Sequence, residues 1–111
     1  MQVLLNTEPH SDGRESIAEY LEATVTEALG HYGERIIRVE AHLSDANSAA
    51  KANTDEIHCT MQARVVGLDP VVVRERASTV HQAIHGAVGK LERALSSALG
   101  KHDQRPNSRY E

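Results

Sequence analysis

Residues 36–44 have the sequence IIRVEAHLS, in which apolar side chains alternate with polar ones from Ile37 onward. A period of two is typical of a β-strand that buries one face and leaves the other exposed. The pattern recurs at residues 57–65, IHCTMQARV, after a polar loop of small residues at 45–55. These stretches therefore predict two strands of a sheet that is covered on one side only.

Two shorter apolar stretches predict the remaining strands. Residues 2–6 form the first of them, and residues 71–77 form the other after a turn. If Val71 and Val73 point inward, the alternation also points Glu75 inward. Burial of a carboxylate costs free energy unless it lies at the end of the sheet or finds a partner, and we expect Glu75 to lie near the rim of the sheet.

Two helices are predicted from apolar residues that recur at the helical period. The first begins after Asp12, which has the spacing of a capping box to Glu15 in the first turn. It ends at Gly30 or Gly33. The second covers residues 79–100 and has the longer apolar stripe. That stripe consists of Val80, Ile84, Ala87, Val88, Leu91, Ala94, Leu95 and Ala98.

The predicted order of elements is β-α-β-β-β-α, in a chain of 111 residues that has room for one domain. Half-covered strands and amphipathic helices are most simply combined in an α+β domain of two layers, a four-stranded sheet with both helices packed on one face. We expect this single domain to span residues 1–101. Residues 102–111 show no periodic pattern and are expected to form a flexible tail.

The composition argues against several classes of protein. The chain has no Trp, no Phe and only three Tyr, so it lacks the exposed rings that stack on single-stranded bases. No apolar run approaches the length of a membrane-spanning helix, and residues 1–6 do not resemble a secretory signal. The single Cys59 cannot form an internal disulfide. We therefore expect a cytoplasmic protein without a membrane partner.

Charge is unevenly distributed along the sequence. The net charge is −4, so any contact with RNA must be local. Residues 1–34 hold seven acids and one base, residues 35–77 hold six of each, and residues 78–111 hold five bases and three acids. The start of the chain is therefore acidic and its end is mildly basic.

The last predicted helix carries a cationic stripe that includes a small residue, Gly86. Its other members are Lys90, Arg93, Ser97 and Lys101. A line of cations beside a small residue suits close approach to phosphates, although an ordinary solvated helix face has the same pattern. Glycine inside a helix costs about 1 kcal/mol relative to alanine. Gly86 and Gly89 therefore indicate a close approach, either of a ligand or of a packed neighbour.

The open face of the predicted sheet is a second candidate surface for phosphate contacts. Its cations are Arg38, Arg64, Arg74 and Arg76, which Glu40 and Glu56 balance in part.

No motif indicates catalysis or metal binding. His81 and His85 share a helix face, and His42 and His58 share the polar face of two strands, but neither pair has an obvious third ligand. Cys59 falls among inward residues and is expected to be a buried, inert thiol. The sequence has no Gly-rich phosphate loop and no G-x-S-x-G. We expect no enzymatic activity, no bound metal, no cofactor and no small-molecule substrate.

Two segments carry a resemblance to a known family. The first consists of Ala83-Ile84, Gly86, Lys90-Leu91, Arg93 and Leu95 in the last helix, and the second is RVEAHLSD at residues 38–45. With the order of elements, they resemble the short hibernation-promoting factors, also called ribosome-associated inhibitors or sigma-54 modulation proteins. The resemblance covers the chain to about Lys101.

The resemblance implies a protein that binds the small ribosomal subunit, with its 16S-type rRNA and ribosomal proteins, near the channel used by mRNA and tRNA. Such a protein silences idle ribosomes under stress by occupancy. The resemblance further implies that Lys90, Arg93 and Lys101 contact rRNA phosphates.

The first predicted helix departs from the family pattern, because family helices present many lysines and arginines. Its exposed side carries Glu15, Glu19, Glu22 and Glu27 with almost no compensating base. The alternative function is that of a divergent family member, a stress regulator whose acidic first helix binds a basic protein partner. The sequence leaves the oligomeric state open.

Overall fold

A computed structural model describes residues 1–8, 14–45 and 56–108. It contains, in chain order, β1 (Gln2–Glu8), α1 (Arg14–Leu29), β2 (Ile36–Asp45), β3 (Ile57–Val65), β4 (Val71–Ala77) and α2 (Val80–Ser108). A short 3₁₀ segment, Gly30–Arg35, joins α1 to β2. The predicted order β-α-β-β-β-α is confirmed. Asp12 of the predicted capping box and most of the predicted loop at 45–55 lie outside the described residues.

The four strands form one mixed sheet in the order β1-β2-β3-β4. Strand β1 runs parallel to β2, whereas β2 with β3 and β3 with β4 are antiparallel. A parallel pair needs a crossover connection, and α1 lies in that connection.

The core lies between one face of the sheet and the two helices. Its largest fully buried side chains include Leu21 of α1, Met61 of β3, and Ile84, Leu91 and Leu95 of α2. Among the described residues no polar or charged residue is buried. The predicted two-layer α+β architecture is therefore confirmed, and we call the sheet face opposite the helices the outer face.

The start of β2 differs from the predicted alternation. Ile37, predicted to point inward, is 50% exposed, whereas Ile36 is buried. The pairing of β2 with β3 shifts register between Ile36 and Arg38, so one extra residue is inserted on β2. A bulge of this kind reverses the side on which residues before it point. The prediction for Ile37 was wrong because two adjacent isoleucines satisfy either phase of the pattern.

The end of α2 also differs from the prediction. The helix continues past Gly100 to Ser108. Gly100 is not among the described glycines with a positive φ, which are Gly33 and Gly67. A glycine ends a helix by adopting the left-handed conformation, and Gly100 keeps a negative φ instead. The predicted flexibility of residues 102–111 stays a prediction. No helix in the described part of the chain has the length and apolarity needed to cross a membrane.

The thiol of Cys59 is fully buried in β3. Burial, with a smaller contribution from the nearby Glu75 carboxylate, raises the pKa of this thiol from 9.0 to about 12. The reactive species is the thiolate, so both the burial of Cys59 and its raised pKa protect it from thiol reagents.

We predict that Cys59 reacts with a thiol reagent such as Ellman's reagent only when the protein unfolds. The rate of modification should be very low in buffer and should rise through the urea unfolding transition. Labelling of the native protein as fast as of the unfolded chain would show that the thiol is accessible in the folded state.

Candidate nucleic-acid interface

The contact between β4 and α2 is centred on Glu75. Lys90 of α2 places its Nζ 2.8 Å from Oε1 of Glu75 and donates a hydrogen bond of 2.7 Å to the carbonyl oxygen of Arg74. The Glu75 side chain is 26% exposed. It therefore lies at the edge of the core, as the alternation of β4 predicted, and its cationic partner comes from α2.

Gly86 faces the same carboxylate from the helix. A methyl group on Gly86 would overlap the carboxylate, since it would lie 2.8 Å from Cδ and 2.9 Å from Cγ of Glu75. Gly86 is therefore explained by packing of α2 against β4, which is one of the two readings that the sequence left open. At Gly89 the nearest atom to an added methyl group is Nη1 of Arg93, at an ordinary distance of 3.7 Å.

The ionised form of Glu75 is favoured in this environment. The side-chain hydrogen bond from Lys90 lowers the pKa of Glu75 below its ordinary value of 4.5, and the charges of Lys90 and Arg93 act in the same direction. Partial burial opposes them. The ion pair is therefore formed at neutral pH, and Lys90 is only partly available to any ligand.

The other two predicted cations of the helix stripe, Arg93 and Lys101, are exposed on α2. Neither forms an ion pair with another described residue. The structure therefore divides the predicted stripe into one lysine that joins the helix to the sheet and two exposed cations that have no ion pair in the described part of the chain.

The outer face of the sheet presents Arg64 on β3 and Arg74 and Arg76 on β4, all exposed. Arg76 lies 3.9 Å from a carboxylate oxygen of Glu56. No ion pair joins Arg64 or Arg74 to any residue in the described ranges. Each of the two predicted surfaces therefore holds two cations without an ion pair to a described residue, Arg64 and Arg74 on the outer face and Arg93 and Lys101 on α2.

Arg38 on β2 is a fourth arginine of the outer face. It lies directly opposite Arg64 in the β2–β3 register, and its Nε is 3.7 Å from a carboxylate oxygen of Glu40. Two arginines in opposite positions repel each other. An anion between them would relieve that repulsion.

A cleft of about 480 Å³ opens at the edge of the sheet where β3 begins and β4 ends, near α2. We call it the edge cleft. Its polar lining includes Ser44, His58, Thr60, Arg74, Arg76 and Lys90. Ser44, His58 and Thr60 were assigned to the outward sets of their strands, but only the strand register shows that they meet the arginines.

The opposite side of the molecule is acidic. Glu15, Glu19 and Glu22 of α1 are exposed on the helix layer. The α1 carboxylates and the arginines of the outer face therefore lie on opposite sides of the sheet, while the exposed cations of α2 share the helix layer with α1.

The histidines do not gather into a metal site within the described residues, where no group of three or more His, Cys, Asp or Glu side chains is placed to hold an ion. His81 instead packs its ring against Tyr20, with 4.4 Å between the ring centroids. In the β2–β3 register His58 lies opposite Ser44, and His42 lies opposite Thr60.

A mixed four-stranded sheet with two helices on one face and arginines on the other defines an α+β domain of the β-α-β-β-β-α type. The chain belongs to the Sigma 54 modulation protein / S30EA ribosomal protein family, whose model matches residues 7–103. No curated protein matches the sequence.

Two solved structures share the fold. The N-terminal domain of Protein Y from Thermus thermophilus is 21% identical and superimposes with a TM-score of 0.67, over 84% of this chain and 93% of that one. A ribosomal subunit interface protein from Coxiella burnetii is 12% identical, with a TM-score of 0.72, over 91% of this chain and 100% of that one. At these identities the likeness concerns the fold.

We predict that Gly86→Ala is neutral or destabilising in the wild-type protein but stabilising, by about 1 kcal/mol, in a Glu75→Ala background. The added methyl group favours the helix in both backgrounds. It displaces the carboxylate that Lys90 binds only in the wild-type background, where Glu75 is present. Urea unfolding of the four proteins measures this coupling. Gly89→Ala is the matched control and should stabilise both backgrounds alike. Equal stabilisation by Gly86→Ala in both backgrounds would contradict the packing role.

The Glu75–Lys90 ion pair should also make stability depend on pH. A carboxyl group whose pKa is lowered on folding stabilises the protein above its unfolded pKa, near 4.5, and loses this effect as pH falls through the lowered folded value. We predict that Lys90→Met costs about 0.5 to 1 kcal/mol of unfolding free energy at neutral pH. The cost should shrink as the pH falls below 4.5.

Lys101→Met serves as the control for this experiment, because Lys101 has no ion pair among the described residues. Its effect on unfolding free energy should not change over the same pH range. A pH-independent cost of Lys90→Met would show that the lysine stabilises the protein through packing of its stem alone.

Proposed function

We propose that this protein is a ribosome-associated hibernation factor that inhibits translation by occupying the small subunit near the mRNA and tRNA channel. Its family includes S30EA ribosomal proteins, and a ribosomal subunit interface protein shares its fold. In this proposal the protein contacts 16S-type rRNA and neighbouring ribosomal proteins in the cytoplasm. It requires no cofactor and turns over no substrate.

The observation that carries the proposal is the set of exposed arginines on the outer face, two of which have no ion pair with a described residue. Arg64 and Arg74 form no ion pair with a described residue, and Arg76 is 67% exposed despite its neighbour Glu56. Arginine binds phosphate oxygens through two parallel hydrogen bonds, which makes such a surface suited to an RNA backbone. Arg93 and Lys101 lie in the helix layer, on α2 beside the edge strand β4, so in this proposal they contact RNA that continues around that edge. Lys90 contributes from within its ion pair.

The acidic side of α1 fixes the orientation of this proposed complex. Glu15, Glu19 and Glu22 would be repelled by phosphates, so the domain binds with the outer face of the sheet toward RNA and α1 away from it. In that orientation α1 is free to face solvent or a basic ribosomal protein.

The chemistry of the outer face favours backbone contacts over base recognition. The described part of this face carries no Phe, Tyr or Trp ring, and its rings are the smaller imidazoles of His42 and His58, whereas sheets that read single-stranded bases typically stack them on large aromatic residues. The proposed contacts are therefore with phosphates, and binding should depend on the shape of folded rRNA more than on its sequence.

We predict that the protein sediments with small subunits at low salt and that sedimentation weakens steeply as salt rises. Arg64→Glu with Arg74→Glu should weaken binding by about 100-fold, because two attractive contacts become repulsive. Sucrose-gradient sedimentation with quantitative immunoblotting measures the bound fraction.

Charge reversal on the other side of the molecule supplies the matched control. Glu19→Lys with Glu22→Lys should preserve or strengthen sedimentation, since those residues face away from RNA in the proposed orientation. Release by this variant, with sedimentation of the arginine variant intact, would favour the acidic-helix alternative and a protein partner. Failure of the wild-type protein to sediment at low salt would refute the ribosomal role.

A further inference from the structure

The edge cleft brings two adjacent rows of the outer face together. In the strand register Ser44 pairs with His58 and His58 with Arg76, while Thr60 pairs with Arg74. The rows are two residues apart along each strand, so their side chains leave the sheet on the same side. The hydroxyl groups of Ser44 and Thr60 are thereby placed within the same concave surface as both arginines.

These groups are hydrogen-bond donors of the kind that surround a bound phosphate. Two guanidinium groups supply charge and directed N–H donors, and two hydroxyl groups supply neutral donors beside them. The cleft volume of about 480 Å³ exceeds what one phosphate needs and leaves room for an attached ribose.

The charges within the cleft leave Arg74 as its most available cation. Glu75 also borders the cleft, but its carboxylate is held by Lys90 at 2.8 Å. Glu56 lies 3.9 Å from Arg76 and 3.6 Å from Nε2 of His58, so it offsets part of the positive charge at one end. Arg74 has no acidic partner among the described residues, and its backbone carbonyl is fixed by Lys90.

We propose that the edge cleft is a specific binding site for one phosphate group of a ribonucleotide, with Arg74 as its principal ligand. This inference rests on the proposed function, because it places a defined RNA phosphate within the larger cationic surface. Arg76, Ser44 and Thr60 complete the site. Glu56 competes with the phosphate for Arg76 and limits the affinity.

The test is a titration of the full-length, ¹⁵N-labelled protein followed by amide chemical shifts. The probes are uridine 5′-monophosphate, uridine without phosphate, and oligouridine without terminal phosphates. We expect saturable shifts at residues 58–60 and 74–76 with the monophosphate and none with uridine. Saturation by oligouridine at the same amides identifies a backbone phosphate as a ligand, and saturation by the monophosphate alone identifies a free nucleotide.

Three variants make the test specific. Arg74→Ala should weaken binding of the monophosphate by about tenfold or more, because it removes charge-assisted hydrogen bonds but keeps the backbone carbonyl that Lys90 contacts. Arg64→Ala removes the same charge from the same sheet face outside the cleft and should change affinity for the monophosphate by no more than about twofold, because the proposed role of Arg64 is in the wider contact with folded rRNA. Glu56→Gln should strengthen binding by about twofold or more.

Three results would overturn the site: equal weakening by Arg74→Ala and Arg64→Ala, shifts that map elsewhere, or shifts produced by uridine as well. The outcome is separable from that of the ribosomal role. Wild-type protein that binds the monophosphate in the cleft but does not sediment refutes the ribosomal function alone. Protein that sediments without any cleft response refutes the phosphate site alone.

Discussion

The ion pair between Glu75 and Lys90, formed beneath Gly86, determines how the last helix meets the last strand. The alternation of β4 turns a carboxylate toward the helix layer, where a side chain on the helix would collide with it. Gly86 makes space for the carboxylate, and Lys90 supplies a charge at 2.8 Å. The same lysine donates to the carbonyl oxygen of Arg74, so β4 is held to α2 through both a side chain and its backbone. The edge of the sheet that carries the candidate phosphate site is thereby fixed.

This arrangement reassigns the first cation of the helix stripe. From the sequence, the predicted helix presents three cations along one stripe, and all three are expected to be equally available to phosphate: Lys90, Arg93 and Lys101. In the structure Lys90 is ion-paired with a residue of a different element, whereas Arg93 and Lys101 have no ion pair among the described residues. The positive charge available to a ligand is therefore divided between these two cations of α2 and the arginines on β3 and β4 that have no ion pair with a described residue.

The strands and helices were predictable because each buries one face only. In such elements the apolar residues recur at the period of the strand or of the helix. The bulge at the start of β2 was not predictable, because either Ile36 or Ile37 can be the inward residue of the alternation. Only the pairing with β3 determines that Ile36 points inward. The inward position of Glu75 followed from alternation alone, whereas its partner did not, since Lys90 belongs to another element. The edge cleft was likewise beyond a linear pattern, because it depends on which residues of three strands lie opposite one another.

A net charge of −4 does not prevent this domain from binding a polyanion, because the exposed carboxylates of α1 lie away from the outer face, and Glu40 and Glu56 beside the arginines neutralise only part of their charge. A helix with its side chains is about 10 Å across, so carboxylates on the far side of α1 lie more than a Debye length, about 8 Å at physiological salt, from the outer face. Counterions screen their repulsion over that distance. Arginines in direct contact with phosphate are screened far less, because little solvent lies between the charges. The position of the α1 carboxylates away from the arginines thus matters more for RNA binding than the net charge does.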